Sequence, residues 1–410
     1  MRINSVFFAI AVSSVLACSP SFSATWTEVS ALAEKNNNEL TAAKKELESK
    51  EWQYKKALTS FLPQVSASGG YGRTDTSSAG ATSTSYGLSA TQPIFSGFDN
   101  LNSAKKAYAQ MQYSGAALEQ KRSDILYSVR SAFIDLYIAE NDLELQERIL
   151  KRREENSKLI KLLYDNGKED KGNYMLTLAD VESSRSSFSQ AKRSLELAKL
   201  KLSQLIGTKI EKADIPDIYS KAPEDQNTNA LSEKSPSYSM AKATLDIAAI
   251  SANEALSGLL PDISASGSIR RSGTDWPPQT ESKSWSVNFS YSFFPGGSNI
   301  AEKIIKDIDK AKAEQDFEQS KKDILYSIES AHSNLAAKVE SLNVKDLYLK
   351  ASTERAKIAQ TKYINGLMSY NDWDNIENSY IASEKDFLSA KKEALLAEAA
   401  WKNSYGGWTK

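Results

Sequence analysis

The stretch "LPQVSASG" at Leu62 to Gly69 returns nearly unchanged as "LPDISASG" at Leu260 to Gly267. Both interrupt a chain whose flanking segments read as long charged helices, so the reading of these small residues decides the fold. In the second copy Trp285, Val287, Phe289, Tyr291 and Phe293 alternate with Ser286, Asn288, Ser290 and Ser292. A strict period of two marks a strand with one apolar and one polar face. The preceding run sets Ile263, Ala265, Gly267 and Ile269 against Ser264, Ser266, Ser268 and Arg270. The first copy pairs Val65, Ala67, Gly69 and Tyr71 with Tyr86, Leu88 and Ala90, a weaker version of the pattern. The expectation is two β-hairpins, 64–94 and 262–293, with strands of about ten residues, the length of a tilted membrane-crossing strand. Trp285, Val287, Phe289, Tyr291 and Phe293 then form the membrane-facing side. Polar loops, "RTDTSSAGATSTS" and "SGTDWPPQTESK", join the strands, and Phe95, Phe293 and Phe294 stand where an interfacial aromatic girdle would.

Working outward, the rest of the chain repeats as well. "SDILYSV" at Ser123 to Val129 reappears as "KDILYSI" at Lys322 to Ile328, an offset of 199, and "YDNG" at Tyr164 returns as "YING" at Tyr363. Proline and glycine mark the joints of each copy. Between them the spacing predicts long helices over 97–164 and 297–363, each about 100 Å at 1.5 Å per residue, and return helices over 174–205 and 374–405. Each copy opens on a helix, Trp26 to Ser60 and Pro236 to Ser257, the second capped by Ser235. Val129, Leu136, Leu143 and Leu150 stand seven apart, as do Ile328, Leu335, Leu342 and Leu349, which predicts coiled-coil packing. The domain plan is a signal peptide at 1–23, a first repeat at 24–207, an acidic equatorial linker at 208–234 on the outside of the assembly, and a second repeat at 235–410.

Composition narrows the function. The chain of 410 residues is 25% charged with a formal net charge of -1. No basic run with interleaved aromatics marks a nucleic-acid partner. Arg2, an apolar run from Val6 to Ala17 and a small-residue site predict an exported protein cleaved after Ser23, leaving Ala24 first. Cys18, the only cysteine, follows "VLA" and is also a candidate for lipidation. No later segment approaches the roughly 18 consecutive apolar residues of a membrane helix, so any crossing must use strands.

Hairpins packed on a soluble helical bundle satisfy the alternation too. Export, helices too long for a globule and a Ser-rich rather than charged polar face favour the membrane. Four strands cannot close a barrel and open edges do not persist in lipid, so subunits must share one. Two chains give eight strands with a filled interior; three give twelve, with room for water.

The pattern of two such repeats, with "PIFSGF" at Pro93 to Phe98, a Tyr-x-x-Gly at each helix turn and "KYINGLMSYNDWDNIEN" at Lys362 to Asn378, resembles the TolC-like outer-membrane efflux proteins. The resemblance covers nearly the whole mature chain. It implies a mainly α fold with transmembrane β: a homotrimer with a twelve-stranded barrel in the outer membrane, continued by a periplasmic α-helical coiled-coil barrel. The implied function is an exit duct for tripartite efflux or type I secretion, docked on a periplasmic adaptor and an inner-membrane transporter. A lipid on Cys18 would then sit badly. The eight residues to Trp26 reach at most about 27 Å, whereas the first helix climbs about 50 Å before the barrel.

The resemblance also implies site residues. Tyr363 and Asp372 in the second turn are expected at the channel constriction. Asn173 stands where the first turn of the family often has an acid, and Asp374 supplements the ring or is simply a solvated helix residue. Met368 replaces a basic gate partner, and Gly172 is an extra glycine at the first tip. Gly167, Gly366 and Leu367 are expected to face the adaptor, or to serve only the turn. His332, the only histidine, takes the seam position matching Phe133 and reads as a packing residue. No catalytic constellation, metal cluster or phosphate-binding glycine loop is present in the sequence, so neither an enzyme nor a cofactor is expected. The competing reading is an exported structural coiled-coil protein of the envelope without a pore.

Overall fold

The computed structural model describes residues 23–75, 80–210, 212–213 and 227–409. The signal segment through residue 22 with Cys18, and the middle of the linker at 214–226, lie outside the described residues. In chain order the elements are β1 (Ser23–Ala24), α1 (Trp26–Asn36), α2 (Asn38–Leu58), β2 (Gln64–Asp75), β3 (Gly80–Ser96), α3 (Asp99–Asp165) and α4 (Lys171–Ile206). The second half follows with β4 (Lys212–Ala213), α5 (Thr228–Glu233), α6 (Pro236–Glu254), β5 (Asp262–Gly273), β6 (Thr280–Ser290), α7 (Ser298–Ile364) and α8 (Tyr370–Ser404). Two compact units share these elements. One is formed by the chain through Asn36 with 129–217 and 347–392, the other by 37–128, 218–346 and 393–410.

The second unit holds the sheet, a four-stranded antiparallel one in the order β2-β3-β5-β6. Its register follows the apolar alternation. Val65, Ala67 and Gly69 face Ala90, Leu88 and Tyr86, while Ile263, Ala265 and Gly267 face Phe289, Val287 and Trp285. The other face carries the serines, and three rungs close on themselves: Ser66 to Ser89 at 2.8 Å, Ser266 to Ser286 at 2.8 Å and Ser268 to Ser284 at 2.9 Å. Between β3 and β5 the backbones come close at Gly87, where a Cβ would lie 2.7 Å from the Ile269 carbonyl oxygen. β6 stops at Ser290, so Tyr291 and Phe293 leave the strand expected to include them. The reason is the partner: Ser290 pairs with Asp262, the first residue of β5, and the chain before it is Pro261, which has no N–H to donate.

Asparagine explains a second departure. The opening segment 26–60 is two helices, because Asn37 takes an extended backbone and its side-chain oxygen accepts the Leu40 N–H, capping α2. Within the first unit, Asn36 donates to the Ile206 carbonyl at 2.9 Å, satisfying the end of α4 where Gly207 turns the chain at φ +72°. The same unit pairs β1 with β4, Ala24 opposite Ala213. The start of the linker is therefore packed, with Ile210 and Ala213 buried and the Ala213 N–H donating to Glu140 at 3.1 Å. Burial pushes the Glu140 carboxyl above its ordinary value.

The helical seam drifts. On α3 Val129, Phe133 and Leu136 are fully buried, but further on Leu145, Ile149 and Ile160 replace Leu143 and Leu150. An α-helix at 3.6 residues per turn slips against a seven-residue repeat. On α7 of the second unit Leu335 and Val339 pack with Ala397 and Trp401 of α8, and the His332 ring lies 5.6 Å from that of Trp401.

Candidate functional site: the paired helix turns

The α3–α4 and α7–α8 turns lie together in the first unit and are built the same way. In each, the glycine N–H bonds back three residues and the next N–H bonds back five: Gly167 to Tyr164 and Lys168 to Leu163, Gly366 to Tyr363 and Leu367 to Lys362. This is the Schellman closure of a helix, and it needs a left-handed residue. Gly167 has φ +67° and Gly366 φ +72°, and no atom crowds either position, so backbone conformation alone calls for glycine. Leu367 is 75% exposed.

The return helices then start on matching caps. Asp170 caps α4 by accepting the Asn173 N–H at 2.8 Å, and Ser369 accepts the Asp372 N–H at 3.1 Å. In both, the third helical residue reaches back. The Asn173 amide donates to Glu169 at 2.8 Å and to Asp170 at 3.0 Å, whereas the exposed Asp372 carboxylate accepts the Ser369 hydroxyl at 2.7 Å. The first tip thus carries its acids at 169 and 170 rather than at 173. Gly172 belongs to this cap, since a Cβ there would sit 3.0 Å from the Asp170 carboxylate.

Tyr363 joins the two turns. Its hydroxyl donates to Glu169 at 2.6 Å, and its ring stacks on Trp373 with centroids 4.6 Å apart. Ile160, Ala359 and Tyr370 complete a buried cluster, with Met368 packed on its side. Met368 therefore fills an apolar place and takes no part in an ion pair. Burial, and then the adjacent Glu169 carboxylate, push the Tyr363 phenol well above its ordinary value; burial and the Asp374 and Asp180 charges do the same to Tyr370. Both rings remain neutral at any physiological pH. The Tyr370 hydroxyl and Trp373 Nε1 are buried without a hydrogen-bond partner among the described residues. An orphaned buried polar group costs about 1–3 kcal/mol, a cost that exposure to water would remove.

Two arginines that the sequence reading did not single out hold α8 to its neighbours. Arg153 of α3 lies 3.2 Å from Asp374 of α8 and 3.5 Å from Asp180 of α4, and also donates to Asn378. Arg152 lies 3.3 Å from Glu377 and 2.9 Å from Glu384, with the Tyr380 ring 4.4 Å from its guanidinium carbon. Asp374 is thus a clamp residue within the chain. Burial raises Glu377 and Asp180 above their ordinary values, against the lowering effect of the arginines. The only signal in the sequence was "KRRE" at Lys151 to Glu154 opposite a run of acids on α8.

The structure therefore brings Tyr363, Asn173, Asp372, Asp374, Gly167, Gly366 and Leu367 to one pair of turns. Trp285, Val287 and Phe289 lie on β6 of the other unit, exposed on the apolar face of the sheet.

Known proteins agree with this architecture. The sequence pattern described as "Outer membrane efflux protein" matches residues 29–208 and again 228–407, once for each repeat. The outer membrane efflux protein BepC of Brucella suis is 22% identical over 402 residues, spanning 93% of this chain and 87% of its own. The open state of the Neisseria gonorrhoeae MtrE outer membrane channel superposes with a TM-score of 0.84 at 19% identity, covering 94% of this chain and 89% of that one. The outer membrane protein VceC of Vibrio cholerae gives 0.82 at 16% identity, covering 93% and 96%. With both repeats matched over most of their length, the chain belongs to the outer membrane efflux protein family.

Proposed function

We propose that three copies of this chain share one twelve-stranded barrel and form the outer-membrane exit duct of a tripartite efflux or type I secretion machine. The observation that carries this is the open sheet. β2 and β6 each have a partner on one side only, and their unpaired backbone groups would cost several kcal/mol apiece in lipid. Pairing β6 of one copy with β2 of the next removes both edges. The apolar face with Trp285, Val287 and Phe289 then meets the lipid, with Tyr291 and Phe293 just past the strand end, and the serine face lines the water.

At the turns, exposed Asp372 from each copy makes an acidic ring that attracts cations, with Asn173 beside Glu169 and Asp170 on the alternate tips. The Tyr363 to Glu169 bond and the Arg153 clamp on Asp374 hold each pair of turns shut. Gly167, Gly366 and Leu367 present bare backbone and one apolar side chain to a periplasmic adaptor, which links the duct to an inner-membrane transporter. The test is to extract the protein from outer membranes in mild detergent, measure its mass, and record current in planar bilayers. A trimer that conducts, with cation preference reduced by Asp372→Asn, supports the reading; a monomer without conductance refutes it.

A further inference from the structure

We propose that Arg270 is an anion-attracting station inside the barrel, a site for carboxylate, phosphate or sulfonate groups on passing solutes. The inference rests on the reading of the serine face as the water-filled side. Among the described strand residues of that face only Asp262 and Arg270 are charged, and they stand at opposite ends of β5. They stand eight positions apart, about 27 Å at 3.4 Å per residue. Across its own row Arg270 meets Ser68, Gly87 and Ser282, none of them acidic.

The surroundings are shaped for this side chain. Gly87 is the close approach between β3 and β5, and a Cβ there would also lie 3.1 Å from the Arg270 Cα and 3.2 Å from its Cβ. The guanidinium is steadied by one neutral contact, Nη2 donating to Ser85 Oγ at 2.8 Å. That leaves most of its donors for a ligand, and a guanidinium keeps its charge at every physiological pH. The next residue is the contrast. Arg271 points to the apolar face and pairs there with Glu281 at 2.9 Å, a carboxylate that Lys283 also holds at 2.9 Å. One arginine of the pair thus has its fork engaged by a carboxylate, while the other offers a forked donor set that matches planar oxyanions. Three copies place three such groups around one lumen.

The adjacent arginines supply their own control. A Ser268→Cys variant puts a thiol on the serine face, one row from Arg270; Cys18 is the only other cysteine in the sequence. The full-length protein in outer-membrane fragments is treated with an anionic sulfonatoethyl and a cationic trimethylammonioethyl thiosulfonate, and the ratio of the two labelling rates is read. Adding Arg270→Gln should lower the anionic-to-cationic ratio about fivefold at low salt, and less at high salt. Adding Arg271→Gln should leave it unchanged. A ratio indifferent to Arg270→Gln, or equally sensitive to Arg271→Gln, overturns the proposal. If the Ser268→Cys thiol reacts with neither reagent while a Val287→Cys thiol reacts with both, water lies on the other face, and the barrel orientation fails together with the station.

Discussion

Arg153→Met should loosen the paired turns without disturbing the sheet. The arginine side chain is only 9% exposed and contacts Asp374 and Asp180. Methionine keeps much of the stem's packing but strands two carboxylates beside the buried Tyr370 ring. Removing one partner of a buried pair costs about 3–5 kcal/mol. Because the Asp180 side chain is 30% exposed, the lower end applies, and about 3 kcal/mol is roughly 100-fold in a local opening equilibrium. Amide hydrogen exchange on the intact protein reads this directly. Amides from Asp374 to Glu384 and from Tyr174 to Glu182 should lose about 100-fold of protection, while those of β5 stay unchanged. Adding Asp374→Asn and Asp180→Asn should restore most of the loss, because no uncompensated charge is left behind. Unchanged exchange at the turns, or a loss that the triple variant does not repair, would refute the clamp.

Acidity should tighten the same region. Glu377 and Asp180 have folded values raised above 4.5 and 3.8, so the folded tip binds their protons more readily than an opened one. Their stabilising contribution is complete below those ordinary values and is lost as pH rises through the raised ones. Protection at α8, corrected for intrinsic rates, should therefore increase from pH 7 toward 5, and Glu377→Gln should flatten the dependence. Asp372→Asn keeps an acceptor for Ser369 and should weaken cation selectivity and block by trivalent cations in bilayers, whereas Asp372→Ala should in addition remove the acceptor that orients the Ser369 cap and the acid of the first turn, at a cost of about 0.3–1 kcal/mol, visible as faster exchange. Gly366→Ala meets open space but a left-handed backbone, and should cost about 1–2 kcal/mol of turn stability by the same measurement. Gly87→Ala should lower the heat resistance of the assembled barrel on a gel, while Gly69→Ala, whose Cβ would sit 3.9 Å from its nearest neighbour, should not.

Much of this architecture was legible in residues 62–69 and 260–267, because a half-buried strand leaves a period of two that burial itself enforces. That Ile263, Ala265 and Gly267 share a face with Phe289, Val287 and Trp285 could be read from the alternation, but a shift of two residues preserves the faces, so the pairing of Ile263 with Phe289 is known only from the sheet. The turns were equally plain, since a closed helix end needs the left-handed backbone that Gly167 and Gly366 supply. The end of β6 was not, because alternation continues through Tyr291 and Phe293 and only the missing partner beyond Asp262 stops the strand. The break at Asn37 was open to reading from "NNN" at 36–38, yet a cap competes with helix continuation and tertiary packing decides between them. Arg152 and Arg153 stayed hidden for a different reason. One residue in four is charged, and only the packing of α4 and α8 turns two arginines among many into a clamp. Glu169 was missed likewise, since its partner Tyr363 lies 194 positions away.

The serine rungs have a consequence for what a duct of this kind can carry. A wall of alanine would repel water and could empty the bore by dewetting, whereas a wall of free amides or acids would grip whatever passed. Paired hydroxyls such as Ser66 with Ser89 and Ser268 with Ser284 do neither. Each spends part of its bonding capacity on its neighbour, so if this face lines the water, its paired hydroxyls would stay wet yet hold no solute for long. Away from Arg270, such a lining would work as a low-friction sleeve that discriminates little among neutral loads and leaves most of the choice to whatever feeds it.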